Sequence, residues 1–240
     1  MARASPLRKS RAPARSGRAA EDRVFNAVLD AVLDHRLAPG TRLGERELSE
    51  LLGAGRGAVR AALSRLGHSL LVELRPNRGA VIANPTAAET RDLFEARRVI
   101  EGAILQRLGA TLAAKQIAEL RAFVGEEGRA YDRDDRKGGQ RLSIRFHKLL
   151  SELAGNAALD RFMEHLICRT PLLTLAHRGP RLAYCGAEEH REIVEALARK
   201  DVALAVRRMT AHLTNLESQL RLDEEEPQAD HRLANALNLA

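Results

Sequence analysis

A chain of 240 residues has room for one large or two modest domains with buried cores, and its ordinary apolar content of 45% supports that. Aromatic residues make up only 3% and tryptophan is absent, which excludes the stacking platforms of single-strand nucleic-acid binders and leaves a composition suited to an almost wholly helical protein. The net charge of +7 is one-sided: Lys and Arg outnumber Asp and Glu by 15 to 8 over residues 1–84 and tie at 24 each over residues 85–240, so a polyanionic partner is implied for the first third alone.

Residues 1–20 hold six basic residues and no acidic ones, with Pro6, Pro13 and Gly17. Such a stretch builds no core, and we read it as a disordered basic tail or as an arm that follows the DNA backbone. From Glu21 to Leu37, Val24, Ala27, Val28, Ala31 and Val32 form one stripe, which predicts a first helix ended by Pro39-Gly40. Leu48, Leu51 and Leu52 predict a short second helix, stopped by Gly53. Beyond Gly53-Ala54-Gly55, the stripe Val59, Ala62, Leu63 and Leu66 predicts a third helix that stops at Gly67. Arg56 and Arg60, four residues apart, share its opposite face. Two β-like runs, Leu70–Leu74 and Ala80–Ala83, flank the turn Arg75-Pro76-Asn77-Arg78-Gly79 and predict a hairpin. Helix, tight turn, helix and wing with arginines at the turn make a DNA reader, whose second motif helix enters the major groove.

After the linker Asn84-Pro85, Thr86-x-x-Glu89 is a capping box that opens a second unit. Six helical stretches follow, at about 87–109, 113–129, 137–154, 157–178, 181–199 and 201–222, with Pro171 expected to kink the fourth. The charged, glycine-punctuated segment 125–139 predicts a loop or frayed end, and the acidic stretch Asp223–Asp230 a loose tail. The expected organisation is a basic tail over 1–20, a winged-helix domain over 21–84, a helical domain over 85–222 and an acidic tail over 223–240. Cys168 and Cys185 lack paired or metal-type spacing and are expected to be buried, reduced thiols of a cytoplasmic protein. No apolar run approaches the roughly 18 residues of a membrane span, and none is expected.

In the second unit His147, His190 and His212 each lie among the inward leucines of a different helix. Three imidazoles meeting in one place would bind a divalent transition metal and leave a coordination position open. Arg97 is suited to clamping a carboxylate or polarised carbonyl, the alternative being an ion pair with Glu101 or Glu95. Arg98 is expected to face solvent, His165 and His177 to be structural or on the surface, and Asn156 to sit at a helix end.

Residues 24–83 resemble the winged helix of GntR-type bacterial transcription factors, in the FadR subgroup. The resemblance rests on Pro39-Gly40-Thr41-Arg42-Leu43, Glu45-Arg46-Glu47-Leu48-Ser49, Arg56…Val59-Arg60…Ala62-Leu63 and Arg78-Gly79. It implies DNA contacts at Arg46, Arg56, Arg60 and the close-approach Gly79, while Arg75 and Arg78 at the tip of the wing are placed to touch the phosphates or the minor groove beside the helix. Where the family usually has Ser/Thr, Arg, Thr and Pro, this chain has Gly55, Arg56, Gly57 and Ala58, so the reading helix lacks hydroxyl caps and is expected to fray without DNA. Residues 86–222 resemble the FCD effector domain through Asp92-Leu93-x-Glu95-x-Arg97-x-x-Ile100-Glu101, Phe146-His147, Gly155-Asn156, Glu189-His190-Arg191-x-Ile193 and His212-Leu213. Many FCD domains hold a metal by one carboxylate and three histidines. That implies a zinc- or nickel-like ion on His147, His190 and His212, and effector binding by these residues together with Arg97 and Ser143. Ser143 stands where the acidic ligand is expected, and a hydroxyl is a poor substitute. The alternative is that the histidines bind an effector directly, with no metal.

The expected fold is mainly α: an N-terminal winged helix-turn-helix followed by an all-α FCD-like bundle. The expected protein is no enzyme but a cytoplasmic, nucleoid-associated bacterial homodimer. It binds double-stranded operator DNA, as a repressor under control of a small metabolite. A metal-dependent hydrolase using the three histidines and a non-specific DNA binder are the alternatives.

Overall fold

Two apolar stripes that neither helix nor hairpin can bury alone organise the first third of the chain. A computed structural model describes residues 13–75, 79–177, 186–222 and 237. Helix α1 (Pro13–Leu33) lays Val24, Phe25, Val28, Ala31 and Val32 against α3 (Arg56–His68), which returns Val59, Ala62, Leu63 and Leu66. Between them α2 (Glu45–Leu52) adds Leu48, and Gly53 closes it in the left-handed region at φ 57°. The sheet has the order β1-β3-β2, all antiparallel: β1 is Arg42–Leu43, β2 Val72–Arg75 and β3 Gly79–Ile82. Register pairs Val72 with Ile82 and Arg75 with Gly79, so the wing is the hairpin expected. Gly79 has φ 78°, and a Cβ there would lie 3.3 Å from the Leu43 carbonyl oxygen of β1.

Several local expectations need correction. Helix α1 starts at Pro13 rather than Glu21, so part of the expected disordered tail is helical; residues 1–12 lie outside the described residues. It ends at Leu33, before Pro39-Gly40, because His35 takes φ 56° and the Arg36 and Leu37 amides turn back to the Ala31 carbonyl. Helix α3 runs through Gly67, whose missing side chain makes room for Leu74, and ends at His68. Strand β1 is too short to have shown any alternation in sequence.

The second unit opens on the expected capping box: the Glu89 amide donates to Thr86 Oγ1, and Glu89 Oε2 accepts from the Thr86 amide at 2.8 Å. Helices α4 (Ala87–Thr111), α5 (Ala114–Asp132), α6 (Arg136–Leu153), α7 (Ala157–Ala176), α8 (Ala187–Ala198) and α9 (Val202–Ser218) form an all-helical bundle. Its main packing partners are α4 with α9 and α7, α5 with α6 and α8, α8 with α9, and α6 with α7. Gly109 on α4 leaves the space that Val202 of α9 fills. Helix α7 continues through the buried Pro171, and Asn156 caps its start by accepting from the Ala158 and Leu159 amides. The segment expected as a loop is mostly helix: α5 extends to Asp132 and α6 begins at Arg136. Its inward positions Leu120, Val124 and Glu127 continue one face, and that packing outweighs the helix cost of Gly125 and Gly128, about 1 kcal/mol each. Among the described residues, no helix is long and apolar enough to cross a membrane.

The two units touch. Leu172 of α7 is buried in the core of the winged helix, and Cys168 packs beside it. Asp34, just beyond α1, takes Arg141 of α6 at 2.7 Å on Oδ1 and Arg36 at 3.2 Å on Oδ2. His35 Nε2 lies 3.2 Å from Gln140 Nε2, and His177 Nε2 lies 3.0 Å from the Pro85 carbonyl oxygen in the linker.

Candidate functional site

At the surface of the winged helix, the apolar stripe of α3 faces inward and forces the alternate positions out. Arg56 and Arg60 are exposed at its first turn. Gly55 stands at its N-cap and offers no side-chain cap, as the missing hydroxyls require. Arg60 Nε donates to Glu45 Oε2 at 2.7 Å, tying α3 to the start of α2, and Arg46 Nε donates to Glu50 Oε1 at 2.8 Å one turn along α2. Both pairs are solvated and screened by water, so either can be exchanged for another anion at little cost. Arg75 lies exposed beside Glu73 on the wing. Arg78 lies outside the described residues.

The interior of the bundle carries the second site. His147 on α6, His190 on α8 and His212 on α9 come together, with ligand-capable atoms all within 4.8 Å of one another, and all three are buried. Inward spacing on each helix accounts for this: His147 sits between Phe146 and Leu150, His190 precedes Ile193 and Val194, and His212 lies between Met209 and Leu213. Each imidazole is held from behind by a carboxylate. His147 Nδ1 lies 2.5 Å from Glu101, His190 Nδ1 lies 2.8 Å from Glu127, and His212 Nδ1 lies 2.7 Å from Glu189. An acceptor at Nδ1 puts the proton there and leaves the Nε2 lone pair for the shared space. His190 Nε2 and His212 Nε2 then face each other at 3.3 Å, and His147 Nε2 is buried without a protein hydrogen-bond partner among the described residues. Three imidazole nitrogens turned toward one another, each with its other nitrogen on a carboxylate, fit a borderline-soft divalent cation of the zinc or nickel kind. Ser143 is buried one turn before His147 on the same face of α6.

Arg97 lies beside this cluster as a fully buried guanidinium. Its Nε donates to Glu101 at 2.8 Å and its Nη1 to Thr170 Oγ1 at 3.2 Å, while Nη2 has no hydrogen-bond partner among the described residues. Burial pushes the Glu101 carboxyl up, but the charge of Arg97 and the contact with His147 outweigh it and hold the group at about 2. The ion pair weighed as the alternative for Arg97 is therefore present, with one donor left over. Arg98 corrects the expectation of a solvent-facing side chain: it bonds Glu217 of α9 at 2.6 Å and is half-buried. His165 is exposed, and His177 is buried against the linker.

The three carboxylates are what sequence reasoning missed as partners of the histidines. In sequence Glu101 reads as a partner of Arg97, four residues before it, and Glu189 only as the neighbour of His190. Glu127 fell in the segment taken as a loop. The available signal was its place on the stripe Ile117, Leu120, Val124, where a charged residue is costly unless paired.

Comparison with known proteins finds matches over both units. The family model for the FCD domain matches residues 92–215, more than half of the chain, and the model for bacterial regulatory proteins of the gntR family matches residues 20–82. The chain belongs to the GntR family. An FCD domain behind this winged helix fits the FadR subgroup, and the protein is a DNA-binding transcriptional regulator. Its relatives include the HTH-type transcriptional repressor RspR of Escherichia coli K12, 27% identical over 188 residues that cover 77% of this chain and 82% of RspR. They also include the HTH-type transcriptional regulator LutR of Bacillus subtilis, 27% identical over 77% of this chain and 93% of LutR. A solved GntR regulator from Rhodococcus sp. RHA1 superposes with a TM-score of 0.70 at 27% identity, covering 84% of this chain and 97% of its own. Escherichia coli McbR/YncC shares the fold, with a TM-score of 0.71 at 18% identity over 82% of this chain and 94% of its own.

Proposed function

We propose that this GntR-family regulator is a homodimeric repressor whose hold on operator DNA is set by a small effector. The effector binds at a divalent metal on His147, His190 and His212, with Ser143 and Arg97 as further contacts. The observation that carries this reading is the convergence of three buried histidines, each with a carboxylate on its Nδ1. A bound divalent ion would supply an open coordination position for an effector oxygen. The free Nη2 of Arg97 supplies a donor fixed by Glu101 and Thr170. Arg46, Arg56, Arg60, Arg78 and Gly79 meet the DNA. A dimer follows from the small number of base pairs one reading helix can inspect, and the repressor sign follows the printed name of the Escherichia coli relative.

Regulation needs the effector to favour one arrangement of the two units over the other. Two connections supply the route. From the histidine cluster, His147, Glu101, Arg97 and Thr170 form a hydrogen-bonded chain to α7, whose Leu172 is buried in the winged-helix core. From α6, Arg141 grips Asp34 at the end of α1. The test is a thermal-shift screen of organic acids, amino acids, sugar acids and nucleobases on chelator-stripped protein, with and without zinc or nickel, followed by operator titration. A ligand that raises the melting temperature only in the presence of metal, and that changes operator affinity, is the expected result. Ligands that act equally with chelator present overturn the metal, and no effect of any ligand on operator affinity overturns the control.

A further inference from the structure

The three carboxylates behind the histidines are chemically alike but differently placed. Glu189 is 36% exposed and shares its charge with Asn215, which donates to Oε1 at 2.8 Å. Glu101 is buried, yet Arg97 donates to it at 2.8 Å and offsets its charge. Glu127 is fully buried: Oε2 takes His190 Nδ1 at 2.8 Å, and Oε1 has no hydrogen-bond partner among the described residues. A carboxylate withdrawn from water without a cation is costly, and Glu127 faces no Lys or Arg in any ion pair found among the described residues. Its hydrogen-bond partner among the described residues is an imidazole whose far nitrogen faces His212.

Formal charge points the same way. With the imidazoles neutral, the buried Glu101 and Glu127 and the partly exposed Glu189 contribute three negative charges and Arg97 one positive, −3 + 1 = −2, around the three histidines. A divalent cation brings that sum to zero.

We propose that Glu101, Glu127 and Glu189 are positioning residues, one for each histidine, and that Glu127 dominates the affinity and geometry of the metal site. This rests on the metal reading above. Glu127 fixes the ring of His190 with Nε2 toward the ion and makes that nitrogen a better donor, in a place where water does not screen its charge. Phe146, stacked on His190 with ring centroids 4.2 Å apart, leaves the ring little room to turn away.

The test uses the full chain, stripped with chelator and titrated with cobalt(II) chloride alone, reading the visible cobalt bands, affinity by competition with a chromophoric chelator, and the melting temperature of the metal-free protein. Glu127→Gln is expected to weaken cobalt binding by about tenfold to a hundredfold and shift the visible bands. The melting temperature of the metal-free variant should stay level or rise, because a buried charge with no Lys or Arg beside it among the described residues is replaced by a neutral amide that still offers His190 an acceptor. A merely structural glutamate would move the melting temperature down with the affinity. Glu189→Gln, with its exposed acid, should lose only about threefold or less. Should Glu127→Gln not fold, Glu127→Asp keeps the charge and gives up one methylene of reach, and is expected to show a smaller loss with the same band shift. Wild-type affinity and bands in the Glu127 variant overturn the proposal, as does an equal loss in the Glu127 and Glu189 variants. A wild-type chain that develops no cobalt bands overturns the metal reading itself, an outcome distinct from the others because it appears before any substitution is made.

Discussion

The winged helix and the bundle use the same device, a nitrogen base held by a glutamate, at opposite extremes of solvent exposure. Arg60–Glu45 and Arg46–Glu50 lie in water, and His147–Glu101 and His190–Glu127 lie in the interior. In water the pair costs little to break, which, in the DNA-reading role proposed for these arginines, leaves each aimed yet free to exchange its glutamate for a phosphate. In the interior neither partner can leave without exposing the other as an unpaired polar group, so the geometry is fixed before any ligand arrives. One surface is built for exchange and the other for retention.

The sharpest way to break this comparison is to remove one base from each region. His190→Ala should abolish metal binding and, by leaving Glu127 buried alone, cost about 3–5 kcal/mol, read as a large fall in melting temperature. If the melting temperature holds, the interior pair is not committed as described. Arg60→Ala should leave stability within about 0.5 kcal/mol, yet lose about 1–3 kcal/mol of preference for operator over random DNA, measured by competition binding. Equal loss on both DNAs would reduce Arg60 to a phosphate contact.

Two smaller effects sharpen the contrast. Burial pushes the Cys168 thiol up to about 11, with the nearby Glu164 carboxylate adding to it. In a chain carrying Cys185→Ser, thiol labelling at pH 8 should therefore run on the order of a hundredfold slower than for an exposed cysteine, and quicken as the pH rises toward 11. Rapid labelling would mean that the packing of α7 against the winged helix opens readily. Glu45→Gln should change stability by less than about 1 kcal/mol and tighten DNA binding slightly, because Arg60 loses its competitor. A weaker complex would show that Glu45 aims the arginine rather than merely neutralising it.

Much of this was legible in the sequence because it follows from periodicity. The leucine stripes announce α2, α3 and the bundle helices, and they carry His147, His190 and His212 inward with them. What periodicity does not encode stayed hidden. Glu127 was lost because glycine and charge read locally as loop, whereas the packing of α5 against α6 and α8 keeps that segment helical. Strand β1 exists only because β3 is there to pair with it. The Asp34–Arg141 contact joins residues 107 apart in sequence and depends on how the two units meet.

The buried chain from Thr170 through Arg97 and Glu101 to His147 has a consequence for redesign. In the effector role proposed for Arg97, trading it for a hydrocarbon to admit an uncharged ligand would strand Glu101 in oil, and softening Glu101 in turn would release the ring of His147. These four residues will change together or scarcely at all, so new selectivity has to be sought in multiple simultaneous exchanges rather than along a path of single steps.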